Sequence, residues 1–178
     1  MSPSKSPFDA ARRLGRGLAR NGQARRMLLV EAAARLMLAR AQLRFTPFQR
    51  LAERMGEVLA PSDPRAASAG AATSRDEAHL AGEIQWAIDR AARHAPFQAL
   101  CLPQAMAARR MLAKRGVASV LWYGVAAGER GLKAHAWLTA AGVGVTGYPV
   151  ASDYTEIVCF VWPRRNDRQT QSGARNGA

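Results

Sequence analysis

Apolar and polar residues change their spacing once along this chain. Up to Gly116 the apolar positions recur at helical intervals; beyond it they alternate or run together in short blocks. Residues 26 to 59 read as helix, because alanine and leucine dominate and Glu31 stands one turn ahead of Arg35, as a helical ion pair would. Pro47 should open a second helical piece, "PFQRLAERMGEVLA". The stretch "PSDPRAASAGAATS" reads as a linker or loop, rich in Pro, Gly, Ser and Ala. Ser74 with Glu77 forms a capping-box pattern that predicts a helix through about Arg93, broken before Pro96. A further helix is predicted from Cys101 to about Arg115. Leu102, Ala105, Met106, Met111 and Leu112 form its buried stripe, Lys114 and Arg115 suit its C-terminal dipole, and Gly116 stops it. Four strands follow: "VASVLWYGVA"; "KAHAWLTA" and "VGVTGY", joined by a tight turn at Ala141-Gly142; and "YTEIVCFVW". Helices first, then one helix against an antiparallel sheet, define an α+β fold.

The chain divides into a basic, flexible extension (1–25), a helical region with linker (26–72), a core (73–163) and a disordered tail (164–178). A formal net charge of +13 favours acidic partners: nucleic acid, an anionic membrane surface or an acidic peptide. An arginine-rich composition by itself accounts for the same charge. The nucleic-acid reading is disfavoured because Trp122, Tyr123 and Trp137 sit in apolar runs rather than among the basic residues. Glu31, Arg35, Arg40 and Arg44 interrupt the most apolar helix, whereas a spanning helix needs about 20 nearly uncharged residues. No secretory signal pattern opens the chain, and two cysteines make no disulfide framework, so a reducing cytoplasmic setting is expected.

The chemistry rests on one cysteine. A thiol attacks as its thiolate, which a helix N-terminus and a nearby imidazolium both favour. Cys101 stands at a predicted helix N-terminus, where loose backbone N–H groups could also hold an oxyanion. Of His79, His94 and His135, the last is the best partner: it lies in an alternating strand, sharing a face with Trp137 and Thr139, far from Cys101 in sequence. His94 reads as a solvated helix end and His79 as an exposed first-turn residue. Cys159, inside an apolar strand, reads as core. With neither a CxxC nor an HExxH pattern, a metal site is not expected, and the glycines at 142, 144 and 147 read as turn and bulge residues.

The Cys-Leu pair opening "CLPQAMAARRMLAKRG", the Gly124-Val125 pair and the Ala-His-Ala-Trp strand at 134–137 resemble the transglutaminase-like cysteine peptidases of lasso peptide biosynthesis. The likeness runs over roughly residues 26 to 162. It implies a papain- or transglutaminase-like core and a bacterial peptide-maturation enzyme. Such an enzyme removes the leader from a ribosomally made precursor, before a separate ATP-dependent cyclase forms the macrolactam. It implies Cys101 as nucleophile and His135 as general base and then acid, with no cofactor. Many members carry an aspartate on the strand after the histidine, where this chain has Gly147. Asp153, Thr146 or a backbone carbonyl remain for that role, and Asp153 is the choice. Some members carry a fused leader-recognition module of alternating strands. The helical N-terminal region here suggests a separate recognition protein. The basic residues of 1–26 are candidates for contact with an acidic partner or the inner membrane face, and a solvated basic tail is the other reading. Two alternatives remain: an acyl transferase, and a non-catalytic binding or scaffold protein in peptide maturation.

Overall fold

A computed structural model describes residues 7–71, 74–129 and 131–163, with side chains from Gly22 onward. Helix α1 (Pro7–Phe45) is followed by α2 (Phe48–Ala52), strand β1 (Glu57–Leu59) and α3 (Pro64–Gly70). Then come α4 (Arg75–Arg93), α5 (Cys101–Lys114), β2 (Ser119–Gly128), β3 (Gly131–Ala140) and β4 (Val143–Thr146). A short 3-10 helix (Val150–Asp153) leads into β5 (Thr155–Trp162). The five strands form one antiparallel sheet in the order β1-β5-β2-β3-β4. This is the α+β arrangement read from the sequence, with the cysteine-bearing helix packed on the sheet.

The two faces of the sheet bury different partners. Leu121, Leu138, Ala140, Val145 and Phe160 join the main core with side chains of α1, α4 and α5. Val120, Cys159 and Val161 form a smaller cluster with Leu59 and with Ala66 of α3. Alternation decides which is which: Leu121 pairs with Leu138, and Val120 with Thr139. The β3–β4 hairpin turns through Ala141 and Gly142, both at positive φ (48° and 75°), as a two-residue hairpin of this hand requires. The Gly142 N–H donates to Gly70 O at 2.7 Å, which ties the end of α3 to that turn.

Helix α5 is fixed at its C-terminal end by three devices. Gly116 takes φ +76°, while the N–H groups of Gly116 and Val117 donate back to Ala113 O and Leu112 O. That double closure satisfies two orphan carbonyls. Arg109, only 3 % exposed, donates to Met55 O and Arg54 O (3.0 Å each) and lies 4.8 Å from the Trp162 ring, so it anchors the turn before β1. Glu31 of α1 accepts from Arg115 at 2.8 Å and from Lys114 at 3.5 Å, and lies 3.9 Å from Arg35, the pair its spacing predicted.

Burial alone would raise the Glu31 carboxyl, but the hydrogen bond and charge of Arg115, with Lys114, bring it below the usual carboxylate range. A lowered folded value adds stability above the unfolded value, near pH ~4.3, and loses it as pH falls through the folded one. Glu31→Gln is therefore expected to lower stability at pH 7 by about 1 kcal/mol. In urea melts the gap to the native chain should close as pH drops toward ~3.

Two stretches differ from the sequence reading. Residues taken as the end of a helical piece and a linker hold β1 and α3, so the sheet begins before residue 73. The extended residues Glu57–Leu59 are held by backbone pairing with β5, a long-range contact that local composition does not show. The helix α1 also starts at Pro7, so much of the stretch expected to be a flexible extension is helical backbone. The predicted disordered tail, from residue 164, lies outside the described residues. Among the described residues no helix is long and apolar enough to cross a membrane.

Candidate active site

Cys101 is the first residue of α5, as its position before an alanine-rich amphipathic run predicts, and it is half-buried. Its N-cap, Leu100, has no side-chain acceptor for the helix start. The first-turn N–H groups of Cys101 and Leu102 therefore have no acceptor within the helix, and Pro103 has no N–H to offer. Gln104 pins the incoming loop: its backbone N–H donates to Leu100 O at 3.3 Å and its Nε2 to Ala99 O at 2.5 Å.

Tyr123 of β2 lies beside this helix end. Its ring packs edge-on against Phe48 and Phe160, with centroids 6.1 Å away in each case. Its hydroxyl oxygen is buried and makes no hydrogen bond among the described residues. Burial, and secondarily the charge of a Cys101 thiolate, push the phenol well above its ordinary value. A buried hydroxyl close to a nucleophile is a donor awaiting an acceptor.

His135 of β3 pairs across the ladder with Gly124, the rung next to Tyr123↔Ala136. Its Nε2 lies 2.9 Å from Gly147 O. A carbonyl can only accept, so Nε2 donates, and the neutral ring keeps its lone pair on Nδ1. The ring is clamped by aromatics: Trp137 stacks on it at 5.9 Å and 19°, and Tyr154 lies 4.9 Å away at 31°. The imidazole thus has a fixed tautomer, a fixed plane and one basic nitrogen. Among the described residues no hydrogen bond joins it to Cys101: by strand alternation Tyr123 leaves the sheet on the α5 face with Leu121, whereas His135 leaves it on the opposite face with Trp137 and Thr139.

The group that holds the ring is a backbone carbonyl, not the Asp153 carboxylate chosen from sequence. Asp153 is exposed at the end of the 3-10 helix and makes no hydrogen bond to His135. No side chain fits at Gly147. A Cβ there would lie 2.5 Å from Trp137 Cβ, 2.9 Å from Ala136 O and 2.9 Å from His135 Nε2, on a backbone at φ +83°. Thr146 is buried with its hydroxyl unpartnered among the described residues, so it does not serve either. Tyr154 and Tyr123 were missed because both read as apolar members of strand runs. A tyrosine heading a strand directly after the candidate acid was the one signal available for Tyr154.

The remaining candidates sit elsewhere. His79 and His94 are exposed on α4 and at its end. Cys159 is fully buried, as its strand context predicted, with Sγ 3.5 Å from Leu59 O, and burial raises its thiol. Among the described residues no group of three or more His, Cys, Asp or Glu side chains could hold a metal ion.

A cysteine opens a helix packed on an antiparallel sheet, and a tethered imidazole lies on the second strand after it. The sequence profile of the transglutaminase-like superfamily matches residues 42–159, more than half of the chain, and the chain belongs to that superfamily. The match begins before β1, in agreement with a sheet that takes in the supposed linker. Comparison with curated proteins and with solved structures found no match.

Proposed function

We propose that this protein is a cysteine peptidase that removes the leader from a ribosomally made lasso precursor peptide, ahead of macrolactam formation by a separate ATP-dependent cyclase. The observation that carries the reading is the Ala-His-Ala-Trp strand. It holds an imidazole by Nε2, leaving Nδ1 unbonded, on the second strand after a helix-opening cysteine.

In this mechanism His135 Nδ1 takes the Cys101 thiol proton as sulfur attacks the last leader carbonyl. The N–H groups of Cys101 and Leu102 and the Tyr123 hydroxyl hold the oxyanion. The protonated ring then gives its proton to the departing amine, which is the new N-terminus of the core peptide. Water, deprotonated by Nδ1, hydrolyses the leader thioester and regenerates the thiol. The Gly147 carbonyl and the two flanking rings keep the imidazole in register throughout. The proton transfer requires the thiol and the imidazole to be brought together in the substrate complex. The partners in this reading are the precursor, a separate leader-recognition protein and the cyclase. The setting is the bacterial cytoplasm, with the basic N-terminal segment available to the inner membrane face.

The test is mass spectrometry of precursor, recognition protein and this protein over time, with a primary amine added in a second tube. Leader and core masses that sum to precursor plus one water support the peptidase. A leader that carries the amine instead, with little hydrolysis, replaces it by an acyl transferase. An intact precursor with all components folded leaves a non-catalytic binding protein. Tyr123→Phe probes the oxyanion role: kcat should fall about 10- to 1,000-fold with KM little changed. An unchanged kcat would make the hydroxyl a bystander.

A further inference from the structure

At the other end of α5 the molecule has a second feature that this chemistry does not use. A cavity of about 680 Å³ is lined by Arg35, Gln42, Arg54, Arg110, Lys114 and the Trp162 ring, together with Arg109 and Glu53. Arg110 and Lys114 lie roughly 13–20 Å along the helix from Cys101, given a rise of about 1.5 Å per residue. The cavity is therefore separate from the cysteine.

Five cations and a single carboxylate line this space. Arg109 is committed to the Met55 and Arg54 carbonyls and to Trp162. Lys114 and Arg35 share the one Glu31 carboxylate with Arg115, Arg35 at a loose 3.9 Å. Arg54 is exposed and, among the described residues, has no ion pair. Arg110 is half-buried: its guanidinium reaches only Gln42 Oε1, at a long 3.4 Å, and its Nε is buried with no partner among the described residues. Burial and then the charges of Arg35 and Arg54 lower the pKa of Arg110, in keeping with cations that outnumber the carboxylates around them. Such an arrangement costs stability unless an anion joins it.

We propose that this cavity binds a phosphate group, held by Arg110 and Arg54 with Arg35 and Lys114 around it. Arginine forks match phosphate oxygens in pairs. A phosphate brings up to two charges and three terminal oxygens, where a carboxylate brings one charge and two oxygens. The volume admits a diphosphate or a nucleotide. This assignment does not depend on the peptidase reading.

Isothermal titration of the full chain at about 150 mM salt tests it, with inorganic pyrophosphate as the probe, ADP as a second probe and a glutamate-rich peptide as comparison. Saturable pyrophosphate binding is expected, weakened about tenfold or more by Arg110→Gln and by Arg54→Gln. Arg54 is exposed, so its variant does not threaten folding. The double variant Arg90→Gln/Arg93→Gln, on α4, should leave the affinity unchanged. ADP binding more tightly than pyrophosphate would support the site and mark a nucleotide as the source of the phosphate. No saturable binding, equal loss in the α4 variant, or tighter binding of the acidic peptide would each overturn the proposal.

Discussion

Cys101→Ala is expected to reduce the proposed precursor cleavage to the background rate, a loss on the order of 10⁴- to 10⁶-fold, because the other cysteine, Cys159, is fully buried. The protein should remain folded. The thiol is only half-buried, and among the described residues it makes no hydrogen bond. Alanine also favours a helical position at least as well as cysteine. Thermal melting of the variant should therefore lie close to that of the native chain. Cys159→Ala is the informative contrast. That thiol is fully buried in the cluster with Leu59, Ala66, Val120 and Val161. Its removal should cost about 1–2 kcal/mol of stability and leave kcat unchanged. Together the two variants separate the chemistry of sulfur from its packing. If Cys101→Ala still cleaves the precursor at the native rate, the nucleophile is not Cys101 and the peptidase mechanism fails.

The sequence carried the parts of this fold whose causes are local. The four strands after Gly116, the turn at Ala141-Gly142 and the glycine stop of α5 each follow from a short run of residues. The Ser74 cap is equally local, and its hydroxyl does accept from the Glu77 N–H. What stayed hidden is non-local. Glu57–Leu59 is extended because β5 offers it a backbone edge, and its own composition favours helix. Arg109 reads as the polar face of a helix until the Arg54 and Met55 carbonyls come to meet it. The candidate site divides the same way. The placement of Cys101 at a helix start and of His135 in a strand was legible from local pattern. The group that orients the imidazole was not, because a backbone carbonyl has no residue type. A search for an acid led to Asp153, while the turn leaving β4 delivers the carbonyl of Gly147 to the imidazole.

That glycine supports the second large effect. Gly147→Ala should damage both folding and catalysis. The backbone at φ +83° disfavours any side chain, and the new methyl would press on Trp137 Cβ at 2.5 Å and on Ala136 O at 2.9 Å. Neither neighbour is the free end of a flexible side chain, so the turn leaving β4 must move. A cost of about 1–3 kcal/mol is expected, measured by urea melting. The same shift carries Gly147 O away from His135 Nε2, whose 2.9 Å contact fixes the tautomer and the plane of the ring. An imidazole free to rotate presents Nδ1 to the thiol for only part of the time, so kcat should fall about 100-fold or more, with KM less affected. Assayed well below its melting temperature, where almost all the chain is folded, the variant distinguishes positioning from stability. A normal kcat in a destabilised protein would mean that Trp137 and Tyr154 alone hold the ring. A depressed kcat in a folded protein would show that a main-chain oxygen, rather than a carboxylate, positions the ring.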